Sequence, residues 1–302
     1  MTMPEQTKIY FIHALTPLHV GTGRGVRFID LPVMREKVTG WPVVPGSTVK
    51  GVIADHYGAT EEARQKDEGL RTAFGIADSG TPTGGMPNAG SLVFTDARLV
   101  CLPVRSLYGT FAWITSHLAL KRFYRDFEAA GQADGLSVPK DPAQNEILIG
   151  EVSSSALCQD GKVFLEDHDF KSVVNEDAAK WAKKLAGWIF REEDWKEEFR
   201  RRFAMVPDEA FDFFCETGTE VTPRVRIEEE TKTVQEGALW YEESLPAETL
   251  LGGLVWCDRV FGSKDITQDK LMEQFCQEEI RLQMGGKATI GKGRVRVIFG
   301  KE

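Results

Sequence analysis

The stretch that most restricts the fold runs from Gly285 to Val297 and reads GGKATIGKGRVRV. Gly286, Gly291 and Lys292 match the first part of the phosphate-loop pattern G-x-x-x-x-G-K-[ST], but the final position is Gly293, which offers no hydroxyl for a magnesium ion. The following RVRVIFG alternates with a period of two and reads as a strand, whereas a phosphate loop must open a helix. A nucleotide loop of that kind is therefore excluded, and a glycine turn between two strands takes its place. The turn accounts for the glycines but not for Lys287, Lys292, Arg294 and Arg296. Glycines beside cations suit a loop whose bare N–H groups approach phosphate closely.

Charge is unevenly spread. Residues 281–302 hold six Lys/Arg against one acid and residues 1–60 hold six against four, while the whole chain carries a net charge of -9. The ends are basic and the middle is acidic, which predicts a positive surface assembled from the termini. The five cysteines and five histidines are dispersed with no C-x-x-C pair. That pattern argues for reduced thiols and against a zinc site. No apolar run approaches a membrane span and no signal core opens the chain, so the expectation is a soluble cytoplasmic protein without a membrane partner.

KIYFIHA predicts a first strand, and Pro45-Gly46-Ser47 predicts a helix start with Ser47 as its cap. AGSLVFTDARLVCLPV predicts a strand. YGTFAWITSHLALKRFYRDFEAAG predicts one helix with an apolar face through Phe111, Ile114, Leu118 and Phe123, closed by Gly131. The expected organisation is α+β: an RRM-like (ferredoxin-like) core begun by 1–131, a mainly helical insertion over 132–220, a β-hairpin over 221–246, and the rest of the core over 247–302. The open sheet and loops of such a core are common RNA-binding surfaces.

LTPLHVGTG, FIDLPVMREKVTGWPVVPGSTVKGVI, AGSLVFTDARLVCLPVRSLYGTFAWIT, ALWYEESLPAETL and GGKATIGKGRVRV together resemble the RAMP superfamily of CRISPR–Cas proteins. Within it they resemble the repeated backbone subunit of type III-B (Cmr) effector complexes, over nearly the whole chain, with 132–220 the least recognisable part. The resemblance implies guide RNA, complementary target RNA, further copies in a helical filament and other Cmr subunits as partners. It also implies an endoribonuclease whose loop aspartate, here Asp30, drives cleavage with a divalent ion, Mg or Mn. The hairpin would be a thumb inserted between guide and target, so that stacked copies cut at regular intervals. A catalytically silent RNA-binding scaffold is the alternative.

The residues fit that expectation in stated roles. Asp30 could accept a 2′-hydroxyl proton or hold the metal. His19 could protonate a leaving oxygen or contact phosphate. Glu236, Tyr241 and Glu242 are candidates for the hairpin's contribution to cleavage. Arg24, Arg27, Arg35, Lys37, Ser47 and Lys50, with Gly286, Lys287, Gly291, Lys292, Gly293 and Arg294, are the expected sequence-blind phosphate contacts.

Overall fold

The computed structural model describes residues 6–23, 29–76, 87–133, 135–151, 153–228, 230–276 and 279–300. Its centre is the strand Lys8–Ala14, buried along nearly its whole length. It runs antiparallel to Arg294–Phe299 on one side, with His13 opposite Arg296, and to Leu250–Trp256 on the other, with Ile12 opposite Leu251. Leu250–Trp256 pairs in turn with Ala97–Arg105, also antiparallel. The helices Gly46–His56 and Gln268–Phe275 carry the two crossovers. Side chains alternate across a strand. Tyr10 and Ile12 therefore meet Val49, Ile53, Leu271 and Phe275 on one face, while Ile9 and Phe11 meet Phe123, Phe127, Trp181 and Leu185 on the other. With helices on both faces, this sheet offers no open face to RNA, and that expectation is corrected.

Residues 111–131 also depart from the single helix expected. Phe111–Thr115 is a strand, and the helix spans His117–Ala129. Ser116 caps it by accepting the Ala119 N–H at 3.3 Å. Phe111 and Ile114 thus belong to the sheet, and Leu118 is 38% exposed.

Residues 132–220 hold the helices Glu176–Ile189, Glu193–Arg202 and Asp208–Thr217 together with four strands: Glu146–Ile149, Lys162–Leu165, His168–Val174 and Phe203–Met205. Phe203–Met205 lies parallel to Phe111–Thr115 and antiparallel to Glu146–Ile149, so the segment extends the main sheet.

Glu220–Ile227 and Val234–Ser244 form an antiparallel hairpin of their own, with Val221 opposite Glu243 and Val225 opposite Leu239. Its strands put Val221, Val225, Ile227, Val234, Leu239 and Tyr241 in solvent, whereas Glu242, Glu243 and Ser244 at its root are buried.

Candidate functional site

The Asp30 loop is stitched to the second hairpin arm. The Tyr241 N–H donates to Asp30 Oδ2 at 2.8 Å, the Leu31 N–H to the Tyr241 carbonyl at 3.1 Å, and the Glu243 N–H to the Leu31 carbonyl at 3.0 Å. Asp30 is exposed yet held through one carboxylate oxygen. The support beneath it is Glu243, whose Oε2 accepts the Val33 N–H at 2.9 Å. Its Oε1 accepts from Arg35 at 2.6 Å and from Thr219 at 2.9 Å. Arg35 also donates to the Gly40 and Cys215 carbonyls. Arg35 thus braces the loop against the hairpin root. Sequence reading missed Glu243. Two adjacent acids on a strand face opposite ways, so one of WYEES had to turn inward unless both faces met solvent.

Glu242 faces the other way and is only 2% exposed. Lys287 Nζ lies 2.7 Å from its Oε1, the Trp240 indole N–H donates to the same oxygen at 2.8 Å, and Arg224 approaches Oε2 at 3.4 Å. Burial opposes ionisation, but the hydrogen bonds from Lys287 and Trp240, with the charges of Lys287 and Arg224, outweigh it and hold the pKa at about 2. Glu242 is therefore an ionised anchor at neutral pH and has no proton to donate.

The glycine turn docks on this root. Lys292 is buried and donates to Ser244 Oγ at 2.8 Å, burial lowering its pKa. The Gly286 N–H donates to the His19 carbonyl at 2.9 Å, Gly291 to Ala288 at 3.0 Å and Gly293 to Pro17 at 2.9 Å. These three N–H groups are consumed within the protein, which corrects the expectation that they cradle phosphate. The glycines answer to close packing instead. A Cβ on Gly285 would lie 2.2 Å from the His19 carbonyl oxygen, and one on Gly293 would lie 2.1 Å from that of Met284. His19 is itself buried, its Nδ1–H donating to the Glu243 carbonyl at 2.6 Å. Its Nε2 lies against Gly21, where a Cβ would come within 2.7 Å. His19 thus joins the turn to the root.

The other expected contacts separate. Lys37 and Arg294 are exposed. Lys50 Nζ donates to the Leu92 carbonyl at 2.7 Å, and burial lowers its pKa. Ser47 is exposed and does not cap its helix; the Asp96 carboxylate accepts the Gly46 N–H at 2.8 Å in that role. Arg296 is buried in an ion pair with Glu279. Glu236 lies on the second hairpin arm. Arg24 and Arg27 lie outside the described residues. Among the described residues no three of His, Cys, Asp and Glu group as a metal site. Asp30 would therefore offer a divalent ion one carboxylate of the described residues, in keeping with magnesium, which commonly retains water and phosphate oxygens. Among the described residues no helix is long and apolar enough to cross a membrane.

Residues 11–296 match the family model of the RAMP superfamily. The chain is 33% identical over 294 residues to the CRISPR system Cmr endoribonuclease Cmr4 of Pyrococcus furiosus, covering 95% of this chain and 93% of that protein. Among solved structures it is similar to oligomeric Cmr4 from Pyrococcus furiosus, with a TM-score of 0.72 and 27% identity over 98% of both chains. A chain of the type III-B Cmr-beta complex bound to cognate target RNA shares the fold, with a TM-score of 0.71 at 21% identity over 97% of this chain and 96% of that one.

Proposed function

The chain belongs to the RAMP superfamily, and from that premise we propose that it is the repeated backbone subunit of a cytoplasmic type III-B CRISPR effector complex. In that role it binds guide RNA and acts as an endoribonuclease on complementary target RNA at regular intervals. The strand order Arg294–Phe299, Lys8–Ala14, Leu250–Trp256, Ala97–Arg105, with one helix in each crossover, supports an RRM-like core. The hairpin Glu220–Ser244 is then the thumb, its apolar surface meeting bases or the next copy in a helical filament, and other Cmr subunits complete the assembly.

The observation that carries the reading is Asp30, an exposed carboxylate fixed by the Tyr241 N–H at the hairpin root. A carboxylate so held accepts the proton of a 2′-hydroxyl. The 2′-oxygen then attacks the adjacent phosphorus, and the bond to the 5′-oxygen breaks, leaving a cyclic phosphate and a 5′-hydroxyl once the leaving oxygen takes a proton from water. Asp30 would also be the residue to hold a divalent ion, Mg or Mn, whose charge would offset that developing on the phosphate. Arg294 and Lys37 supply exposed cations for sequence-blind phosphate contact.

The test is cleavage of a complementary RNA by the reconstituted complex. Asp30→Asn keeps an acceptor for Tyr241 and removes the charge, so cleavage should fall at least about 100-fold with target binding retained. Unchanged cleavage would remove Asp30 from the reaction and leave a scaffold, and indifference of the wild type to a chelator would remove the metal.

A further inference from the structure

A second concave site lies away from the hairpin root. Between the helix Glu176–Ile189 and the strand Arg294–Phe299 is a cleft of about 710 Å³, lined among the described residues by Lys184, Arg191, Lys196 and Arg296 with one carboxylate, Glu279. In a chain of net charge -9 such a concentration of one sign is unusual. The guanidiniums explain it further. Arg296 bonds both oxygens of Glu279 at 3.2 and 3.0 Å, Arg281 reaches one at 3.1 Å, and Arg191 approaches at 3.6 Å. Three guanidiniums, those of Arg296 and Arg191 on the cleft and of Arg281 beside it, converge on one carboxylate; Lys184 adds a further cation, while Lys196 is already paired with Glu193 at 2.7 Å. Arg296 is itself buried and fixed through the Ile189 carbonyl at 2.8 Å.

The wall is aromatic. Trp188 lies so close to Gly300 that a Cβ there would come within 2.3 Å of the indole, and Lys184 Nζ sits 5.8 Å from the Trp188 ring centroid. Guanidinium forks match phosphate oxygens, and the Trp188 indole adds a flat apolar wall on which a planar base can lie once the Lys184 ammonium turns to the phosphate. The volume lies within the range of small-molecule sites and far exceeds one phosphate. A cleft lined by one sign of charge also concentrates the opposite ion.

We propose that this cleft binds a nucleoside phosphate. Two sources carry that chemistry: a free nucleotide and the phosphorylated end of an RNA strand. Neither Asp30 nor the glycine turn takes part. Gly293 bonds Pro17 at one end of the strand pair, whereas Gly300, on the cleft wall, bonds Ile9 at the other.

The experiment is calorimetric titration of the full-length protein with AMP, adenosine and inorganic phosphate. AMP should bind at one site and more tightly than either part alone. Lys184→Glu with Arg191→Glu should weaken AMP at least tenfold, while Lys183→Glu, on the neighbouring solvent face, should change it less than twofold. Thermal melting of each variant guards against a loss of fold. Displacement of AMP by a 5′-phosphorylated dinucleotide, but not by its 5′-hydroxyl counterpart, would assign the site to a strand end. Failure of both to displace it would assign the site to the free nucleotide. Absence of AMP binding up to about millimolar concentration, or binding indifferent to the double charge reversal, would overturn the proposal.

Discussion

Lys287 and Glu242 meet across 2.7 Å and tie the glycine turn to the root of the hairpin. The pair spans the two elements that sequence reading kept apart, one for binding RNA and one for spacing cuts. Removing Lys287 leaves the buried Glu242 carboxylate only the Trp240 N–H and the longer contact to Arg224. Lys287→Gln should therefore destabilise by about 2–4 kcal/mol. In a double-mutant cycle with Glu242→Gln, the double mutant should lose clearly less than the two single losses added together, read from chemical denaturation. Strict additivity would make the contact energetically idle.

Acid should loosen the same root. The Glu242 pKa falls from an ordinary 4.5 to about 2 in the fold. A lowered folded pKa contributes stability that is fully present above the unfolded value and disappears as pH falls through the folded one. The contribution is roughly 3 kcal/mol, at about 1.4 kcal/mol per pKa unit, and it should vanish between about pH 4.5 and 2. Glu279 and Glu36 also have lowered values. The decisive quantity is thus the difference between the acid melting curves of wild type and Glu242→Gln, which should narrow across that window and stay flat above it.

The glycines of the turn should rank by what surrounds them. Gly285, Gly291 and Gly293 all have left-handed φ, at +77, +82 and +79°, but a Cβ at Gly291 meets nothing within 4 Å. Gly291→Ala should cost about 1–2 kcal/mol from backbone strain alone. Gly285→Ala and Gly293→Ala should cost about 2 kcal/mol more, because each Cβ collides with a carbonyl oxygen that cannot step aside. Equal losses at all three positions would mean that the packing against His19 and Met284 is irrelevant.

RNA binding should separate the exposed cations from the buried ones. Arg294→Gln and Lys37→Gln should each make the salt dependence of RNA binding shallower by about 0.7 in log–log slope, for unrelated sequences alike. Lys292→Met, which loses the Ser244 bond, should lower the melting temperature and leave the slope unchanged. Filter binding over a range of ionic strength checks both; a slope change at Lys292 would make it a phosphate ligand after all.

The central strands were legible because KIYFIHA and RVRVIFG have no alternative to a sheet, and Pro45-Gly46 marked its helix correctly. Residues 111–115 were misread because Phe111, Ile114 and Leu118 fall at helical spacing by coincidence, while Ser116, the actual cap, stands five residues inside that run. The glycine turn misled for a deeper reason. Close approach of a phosphate and close approach of the protein's own carbonyl make the same demand, an absent Cβ, and only the fold says which is met. Arg35 and Glu243 lie 208 residues apart, beyond the reach of local pattern.

The pairing of Lys8–Ala14 with Arg294–Phe299 also sets a clock on biosynthesis. Tyr10 stands opposite Phe299, so the first strand waits for the last before its second edge is covered. At about 5–20 residues per second, a ribosome needs on the order of 15–60 s to reach that point. Until then Glu242 lacks Lys287 and Ser244 lacks Lys292, so the hairpin root is held only through Glu243, His19 and the Asp30 loop. Emerging copies therefore stay incompetent until Phe299 has left the exit tunnel, and their unpaired strand edge is a natural client for a chaperone.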